Sequence, residues 1–357
     1  MPDPSVVLRL HLSENNAGCS PRVLRALARL RPDQVASYPT YEAAAARSAA
    51  HYGVAPAQVA LTNGLDEGIL AVAAVQLRDR VAGDPAAAIL PEPAFDVYRS
   101  AAAVAGGAVV SVGPASDLAF PRRAVLEAIT ARTRVVFVSS PNNPTGLLTP
   151  PEVIAEIAQA LPPRALLFLD EAYAEFSASS FLSSLAAFPN IVIGRSMSKA
   201  FGLAGLRVGC LIASPEVIDV LRAWLPIYNV NAAALAALDA ALDDPDHVAA
   251  YIREVAVSRR LIFEACDRLG VHCWRSAANF VLVRVGAAAE FVTFAAARGV
   301  RIRDRSGVPG CAGCVRVTAG LASDTRRFVE ILEAFVVPSM LRAAATAGMG
   351  HLEQEQT

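Results

Sequence analysis

Asn143, Asp170 and Lys199 each follow a short apolar run, and they lie 27 and then 29 residues apart. An amide, a carboxylate and an amine at such spacing could hold and polarise one small ligand. The amine carries the strongest signal. The chain has 32 Lys and Arg residues, and Lys199 is the single lysine among them. Arginine serves wherever only positive charge is needed, so a position that keeps an ε-amine is expected to use amine chemistry. A guanidinium neither loses its proton nor forms a Schiff base. The alternative, a leftover surface lysine, is opposed by its setting in SMSKAFGLAGLR, where small residues permit close approach.

One strand and helix unit takes about 30 residues, so the spacing predicts three successive loops at one sheet edge. Open α/β sheets bind ligands beyond the carboxyl ends of their strands. RVVFV is followed by SPNNPTG, ALLFL by DEAY, and NIVIG by RSMSKAFGLAGLRVG. Taken singly, NPTG also reads as a Pro-Gly turn and DEAY as a strand end. Together they suit pyridoxal phosphate. Lys199 can bind its aldehyde and move a substrate proton, and Asp170 can pair with the pyridine nitrogen. Asn143 and Tyr173 can donate to the ring hydroxyl oxygen. For the phosphate, Gly64, Leu65 and Asp66 in TNGLDEGIL open an expected helix whose N–H groups favour an anion. Ser196 and Ser198 add hydroxyls, and Arg207 a charge-assisted bond.

The elements that must position these groups are expected as strands at AAAIL, VVSV, RVVFVS, ALLFLD, NIVIG and VGCLIA, alternating with helices. That order predicts an α/β fold whose large domain is a mostly parallel, doubly wound sheet. Thr149, Pro150, Pro151 and Glu152 read as an N-cap, helix-compatible prolines and a capping-box partner. After about residue 240 the texture changes to a long helix through YIREVAVSRRLIFEACDRLG, strands at NFVLVRV, VRIR and CVRVT, and a last helix from near Ser323. The expected division is an N-terminal arm with part of the small domain (1–30), a large cofactor-binding domain (31–240), a smaller α+β domain (241–337) and a loose tail (338–357).

Composition narrows the function classes. A chain of 357 residues, 54% hydrophobic and 18% charged, can bury a large core. Its net charge of −1, without a polybasic block, lacks the footprint of nucleic-acid or anionic-lipid binding, so small-molecule partners are expected. Apolar runs fall short of a membrane span. The N-terminus has no basic flank before a long apolar stretch, so a cytoplasmic location is expected. Six cysteines are scattered, and only Cys311 and Cys314 have CxxC spacing. With no second pair or nearby histidines, packing is expected of them and no metal site.

The whole motif set resembles the fold-type I, aspartate-aminotransferase-like family, and within it the histidinol-phosphate aminotransferase group. The resemblance runs from LSENNAG through YPTY, NGLDEGI, PEPAFDVY, SPNNPTG, DEAYAEF, SMSKAFGLAGLRVG and NFVLVRV to GCVRVTAG. It implies pyridoxal 5'-phosphate as cofactor, a transaminase reaction between an amino donor and a 2-oxo acid, and a homodimer. It further implies that Phe95, at a position often held by Tyr, stacks on the cofactor ring. Tyr38 would reach the phosphate of the neighbouring subunit. Arg316 would clamp the substrate α-carboxylate, and Arg303 a substrate phosphate. The segment Ser13, Glu14, Asn15, Asn16, Ala17, Gly18 departs from the family's NENPYG-like pattern by lacking an aromatic residue.

That departure leaves the donor open among histidinol phosphate, aromatic amino acids and a specialised-metabolite precursor. Two other readings use the same motifs: a threonine-phosphate decarboxylase-like lyase, and a cofactor-sensing domain fused to a transcription regulator. The second would need a DNA-binding module, and the cofactor-fold motifs begin within the first 20 residues.

Overall fold

Seven short runs of Val, Ile, Leu and Ala join one sheet because helices cover both of its faces, so whole strands can be apolar rather than alternating. The computed structural model describes residues 7–177 and 179–337. The expected tail at 338–357 lies outside them. In chain order the strands are β1 (Val59–Thr62), β2 (Ala87–Pro91), β3 (Ala108–Val112), β4 (Thr133–Ser139), β5 (Leu166–Asp170), β6 (Ile191–Ser196) and β7 (Gly209–Ile212). Their spatial order is β1-β7-β6-β5-β4-β2-β3. All neighbours are parallel except β7, which runs antiparallel to both β1 and β6.

Register sets the site. Ser139 of β4 pairs with Asp170 of β5, and Asp170 pairs with Gly194 of β6, so the three carboxyl ends come level. The loops after them, carrying Asn143, Asp170 to Tyr173, and Lys199, therefore open at one edge. β5 and β6 are buried throughout, and the polar groups at their ends are held by what packs beneath. Arg195, on β6, pairs with Glu171 at 2.9 Å and Glu175 at 3.0 Å, all well buried, and Arg195 also donates to Ser180. Glu171 in turn accepts from the Phe181 N–H at 2.7 Å. This network fixes the loop that carries Tyr173.

Helix α1 (Gly64–Leu77) starts straight after β1 and lies close on the sheet. Close approach needs missing side chains on both surfaces. A Cβ on Gly68 would sit 2.7 Å from Leu211, and one on Gly194 would sit 2.7 Å from Leu65 and 2.8 Å from Phe168. Those contacts hold the α1 N-terminus at the sheet edge, beside Ser196.

A second apolar cluster gathers Leu10, Ile262, Phe291, Val300, Val315 and Phe328. It is built on the C-terminal part of helix α2 (Pro245–Arg268) and a three-stranded antiparallel sheet of β8 (Phe280–Arg284), β9 (Arg303–Asp304) and β10 (Cys314–Thr318), ordered β8-β10-β9. The terminal helix runs over 322–337. Cys311 and Cys314 are buried in a small cluster with Leu118, Trp274 and Leu282.

Three local expectations need correction. The strand β1 was not expected, because a four-residue VALT run abutting the TNG turn has too little length to stand out. VRIR is not one strand: Val300–Arg301 pairs in parallel with Leu8–Arg9, whereas Arg303–Asp304 pairs with β10. Thr149 is not the N-cap of the helix at Pro151–Ala160. Pro150 holds that place with extended backbone and no side-chain bond, and Thr149 is buried with its N–H donated to the Ser140 hydroxyl.

Gly194→Ala is expected to destabilise the protein by about 1–3 kcal/mol, since a methyl would be forced into a filled contact. Urea unfolding of the variant and the wild type measures it, and equal stability would show that the α1 contact yields freely.

Candidate active site

The level strand ends bring most of the expected residues around one cavity of about 380 Å³, within the size range of small-ligand sites. Leu65, Asp66, Phe95, Asn143, Asp170, Tyr173, Ser196, Ser198, Lys199, Arg207, Arg303 and Arg316 all line it. Gly64 lies just behind Arg207. Tyr38 does not reach the cavity: it is 75% exposed, with its ring stacked on Tyr228 at 4.0 Å.

Asp170 forms the floor. Its carboxylate accepts from the Tyr98 hydroxyl at 2.6 Å and from the Ala172 N–H at 2.9 Å. Burial pushes its carboxyl up from the ordinary 3.8 to about 6, against the opposing pull of those two donors. The charge of Asp66 adds to the rise, and that of Lys199 counters it. Tyr98 is itself fully buried and stacks on Phe137 with centroids 5.0 Å apart. Sequence reasoning missed Tyr98. The helix at Asp96–Val104 gives its only signal, by setting it one turn beyond Phe95.

Lys199 occupies a tight turn after β6. Its Nζ donates to the Leu12 carbonyl at 3.3 Å and lies 5.6 Å from the centre of the Tyr173 ring. The Leu12 carbonyl belongs to the N-terminal segment, which forms a wall of the cavity and is stitched down by backbone groups. Ser13 accepts from Asn279 at 3.1 Å, Glu14 from the Tyr251 hydroxyl at 3.2 Å, and Asn15 donates to Ala200 at 3.0 Å. Main-chain acceptors have no sequence signature, so these partners were not foreseen.

On the opposite side, buried Arg316 donates to the Asn143 amide oxygen at 2.6 Å and to the His11 carbonyl at 3.0 Å. Burial, with repulsion from Arg305 and Arg303, lowers its guanidinium to about 10. The SPNNPTG loop is more than a turn. Asn142 bonds the Pro93 carbonyl and Thr145, and Gly146, at φ +74°, receives the Ala277 N–H at 2.8 Å on its carbonyl. A Cβ on Gly146 would meet Ser276 Oγ at 2.0 Å.

Three groups converge at the head of α1. Arg207 donates to Asp66 at 3.0 Å and approaches Ser198 Oγ at 3.4 Å. The Ser196 hydroxyl accepts from the Ser198 N–H at 3.3 Å. Gly64 has φ +72°, and a Cβ there would lie 2.4 Å from Arg207 Nη2, so only glycine lets the guanidinium lie across the helix start. The α1 N-terminus leaves its first N–H groups without helical partners. These groups could hold an anion.

The model for aminotransferase class I and II matches residues 6–332. The chain belongs to the class I and II aminotransferases. It is 36% identical over 337 residues to histidinol-phosphate aminotransferase 2 of Pseudomonas fluorescens Pf-5, covering 92% of this chain and 89% of that protein. It is 37% identical over 332 residues to histidinol-phosphate aminotransferase 1 of Thiobacillus denitrificans, covering 91% and 84%. A solved histidinol-phosphate aminotransferase from Sinorhizobium meliloti, in complex with pyridoxal-5'-phosphate, superposes with a TM-score of 0.82 at 27% identity, covering 92% and 91%.

The aminotransferase is thus a pyridoxal 5'-phosphate-dependent enzyme acting on small amino donors and 2-oxo acids. Its own geometry fits that cofactor: a helix start where Gly64 leaves room for Arg207 and an anion could bind, a buried carboxylate, and the chain's single lysine lining the same cavity. Among the described residues no cluster suited to a metal ion occurs, and no helix is long and apolar enough to cross a membrane.

The Asp170 carboxyl sits above its unfolded-state value, so its ionisation opposes folding. The cost is absent below about pH 4, grows up to about pH 6 and is complete above that. In cofactor-free protein, Asp170→Asn is expected to add on the order of 1–3 kcal/mol at neutral pH and nothing near pH 4. Urea unfolding at both pH values and one fixed protein concentration reads this. A loss at both would contradict it.

Proposed function

We propose that this aminotransferase takes a phosphorylated amino donor of the histidinol-phosphate type and passes its amino group to a 2-oxo acid. The observation that carries the reading is the convergence of Lys199, Asp170, Asn143 and Arg316 on one cavity that also contains Arg303. The relatives named histidinol-phosphate aminotransferase support the donor class.

In this reading pyridoxal phosphate supplies an aldehyde for the amino group and an electron-withdrawing ring for the electrons released when the α-proton leaves. Lys199 would hold the cofactor through Nζ and would serve as the general base for the donor's α-proton. Asp170 would hold the ring nitrogen and keep a proton there, with Tyr98 fixing the carboxylate. Asn143 and Tyr173 orient the ring through its hydroxyl oxygen. Phe95, which lines the cavity, would pack on the ring and exclude water.

Gly64, Leu65 and Asp66 at the head of α1, with Ser196, Ser198 and Arg207, hold the phosphate. Arg316 would grip the carboxylate of the 2-oxo acid with its planar fork. Arg303 meets the substrate phosphate. We read Tyr38 as reaching the cofactor phosphate of a second copy in a homodimer, which its exposure and position outside its own cavity support. The division into residues 1–30, 31–240 and 241–337 belongs to the same proposal, supported by a second apolar cluster that joins Leu10 to residues from Ile262 onward, while Val248, Tyr251 and Val255 pack with the large cluster. So does a cytoplasmic location, supported by six free thiols.

Borohydride treatment of the holoenzyme followed by peptide mass analysis is expected to find the reduced cofactor on Lys199. Lys199→Arg, which keeps charge without a usable amine, is expected to lower kcat by about 10²–10⁴-fold or more. Cofactor attached elsewhere, or full activity in that variant, would overturn the reading. Carbon dioxide released from the donor, without amino transfer to a 2-oxo acid, would show a different reaction.

A further inference from the structure

Arg305 has the same sequence appearance as its neighbours in RIRDR, but a different environment. Arg303 of β9 lies directly opposite Arg316 of β10, and the Arg305 N–H continues the pairing by donating to the Cys314 carbonyl at 2.9 Å. Strand alternation therefore puts Arg303, Arg305 and Arg316 on one face. All three line the cavity that contains Lys199. Like charges opposed across a sheet repel, and two of these are shut away from water: Arg305 is 6% exposed and Arg316 7%.

Arg316 has partners for its donors in Asn143 and His11. Arg305 does not. Among the described residues its side chain donates no hydrogen bond, and its buried Nε has no acceptor. Its one ionic contact is from Nη1 to Asp96 at 3.7 Å, beyond hydrogen-bond reach, and the Asp96 side chain is 69% exposed. Water screens that pair. A buried guanidinium with its donors unspent, on the wall of a reaction cavity, lacks an anion that the protein does not provide.

We propose that Arg305 is a specificity-determining residue that, with Arg303, receives the phosphate monoester of a phosphorylated amino donor. The inference rests on the aminotransferase reading above and names the group that sets its donor selectivity. A phosphate monoester suits the pair better than a carboxylate. It brings three acceptor oxygens and close to two negative charges, whereas one arginine fork already satisfies a carboxylate's two oxygens. Burial makes Arg305 the stronger partner, because exposed Arg303 shares its charge with solvent.

The test uses holoenzyme of the wild type, Arg305→Gln and Arg305→Lys, with L-histidinol phosphate and L-histidinol as paired donors. In Arg305→Gln the ratio of kcat/KM for the phosphorylated over the unphosphorylated donor is expected to fall roughly tenfold to a hundredfold. Arg305→Lys, which keeps charge but loses the fork, is expected to lie between. Calorimetric titration of the same holoenzymes with inorganic phosphate is expected to show binding weakened in the same order. An unchanged ratio and unchanged phosphate binding in both variants, while the wild type transfers amino groups, would overturn this inference alone. A wild type that loads cofactor on Lys199 yet transfers no amino group from any donor would overturn the reading beneath it.

Discussion

A carboxylate buried without a full cationic partner is the constraint around which this molecule is arranged. Asp170 sits at the end of a strand that is buried along its whole length, where ionisation in a poor dielectric is costly. A hydroxyl and one N–H soften that cost without removing it. In the proposed reading the balancing charge comes from a ligand whose cationic end reaches the cavity floor, and a protonated pyridine nitrogen would be such an end. The aromatic stack of Tyr98 on Phe137, and the Arg195 network under the next loop, keep the carboxylate and its neighbours from relaxing toward solvent.

The opposite wall carries the opposite imbalance. Three arginines share one face of the small sheet and the same cavity, and only Arg316 has its donors well occupied by protein. The cavity therefore presents an unneutralised anion at its floor and excess cationic donors on its wall. In the proposed reaction a substrate that is an amine at one end and an anion at the other would sit between them, with Lys199 lining the same cavity. The N-terminal segment closes the arrangement: His11 and Leu12 offer carbonyls to Arg316 and Lys199, so the same stretch of backbone orients both cations.

Much of this was legible in the sequence because strand and helix units have a nearly fixed length. Asn143, Asp170 and Lys199 could be assigned to one sheet edge from spacing alone, and the solitary lysine could be weighted by what arginine cannot do. What stayed hidden depends on contacts with no local signature. Tyr98 meets Asp170 across 72 residues of chain and reads as a packing aromatic. The Leu12 and His11 carbonyls are backbone. Arg305 repeats an alternation it shares with Arg301 and Arg303, so only burial separates it from a solvated loop. Local rules failed where tertiary contacts took priority. Thr149 had the composition of an N-cap, yet Pro150 occupies that place and the Thr149 N–H is drawn to Ser140.

Asp170 is proposed to keep a proton on the cofactor's ring nitrogen. Nitrogen NMR of the wild-type holoenzyme, loaded with cofactor labelled with ¹⁵N in the ring, tests it most directly. A shift characteristic of a protonated pyridine nitrogen is expected to persist from about pH 6 to about pH 8, past the range in which a solvent-exposed ring nitrogen would lose its proton. A nitrogen already unprotonated at neutral pH would contradict it.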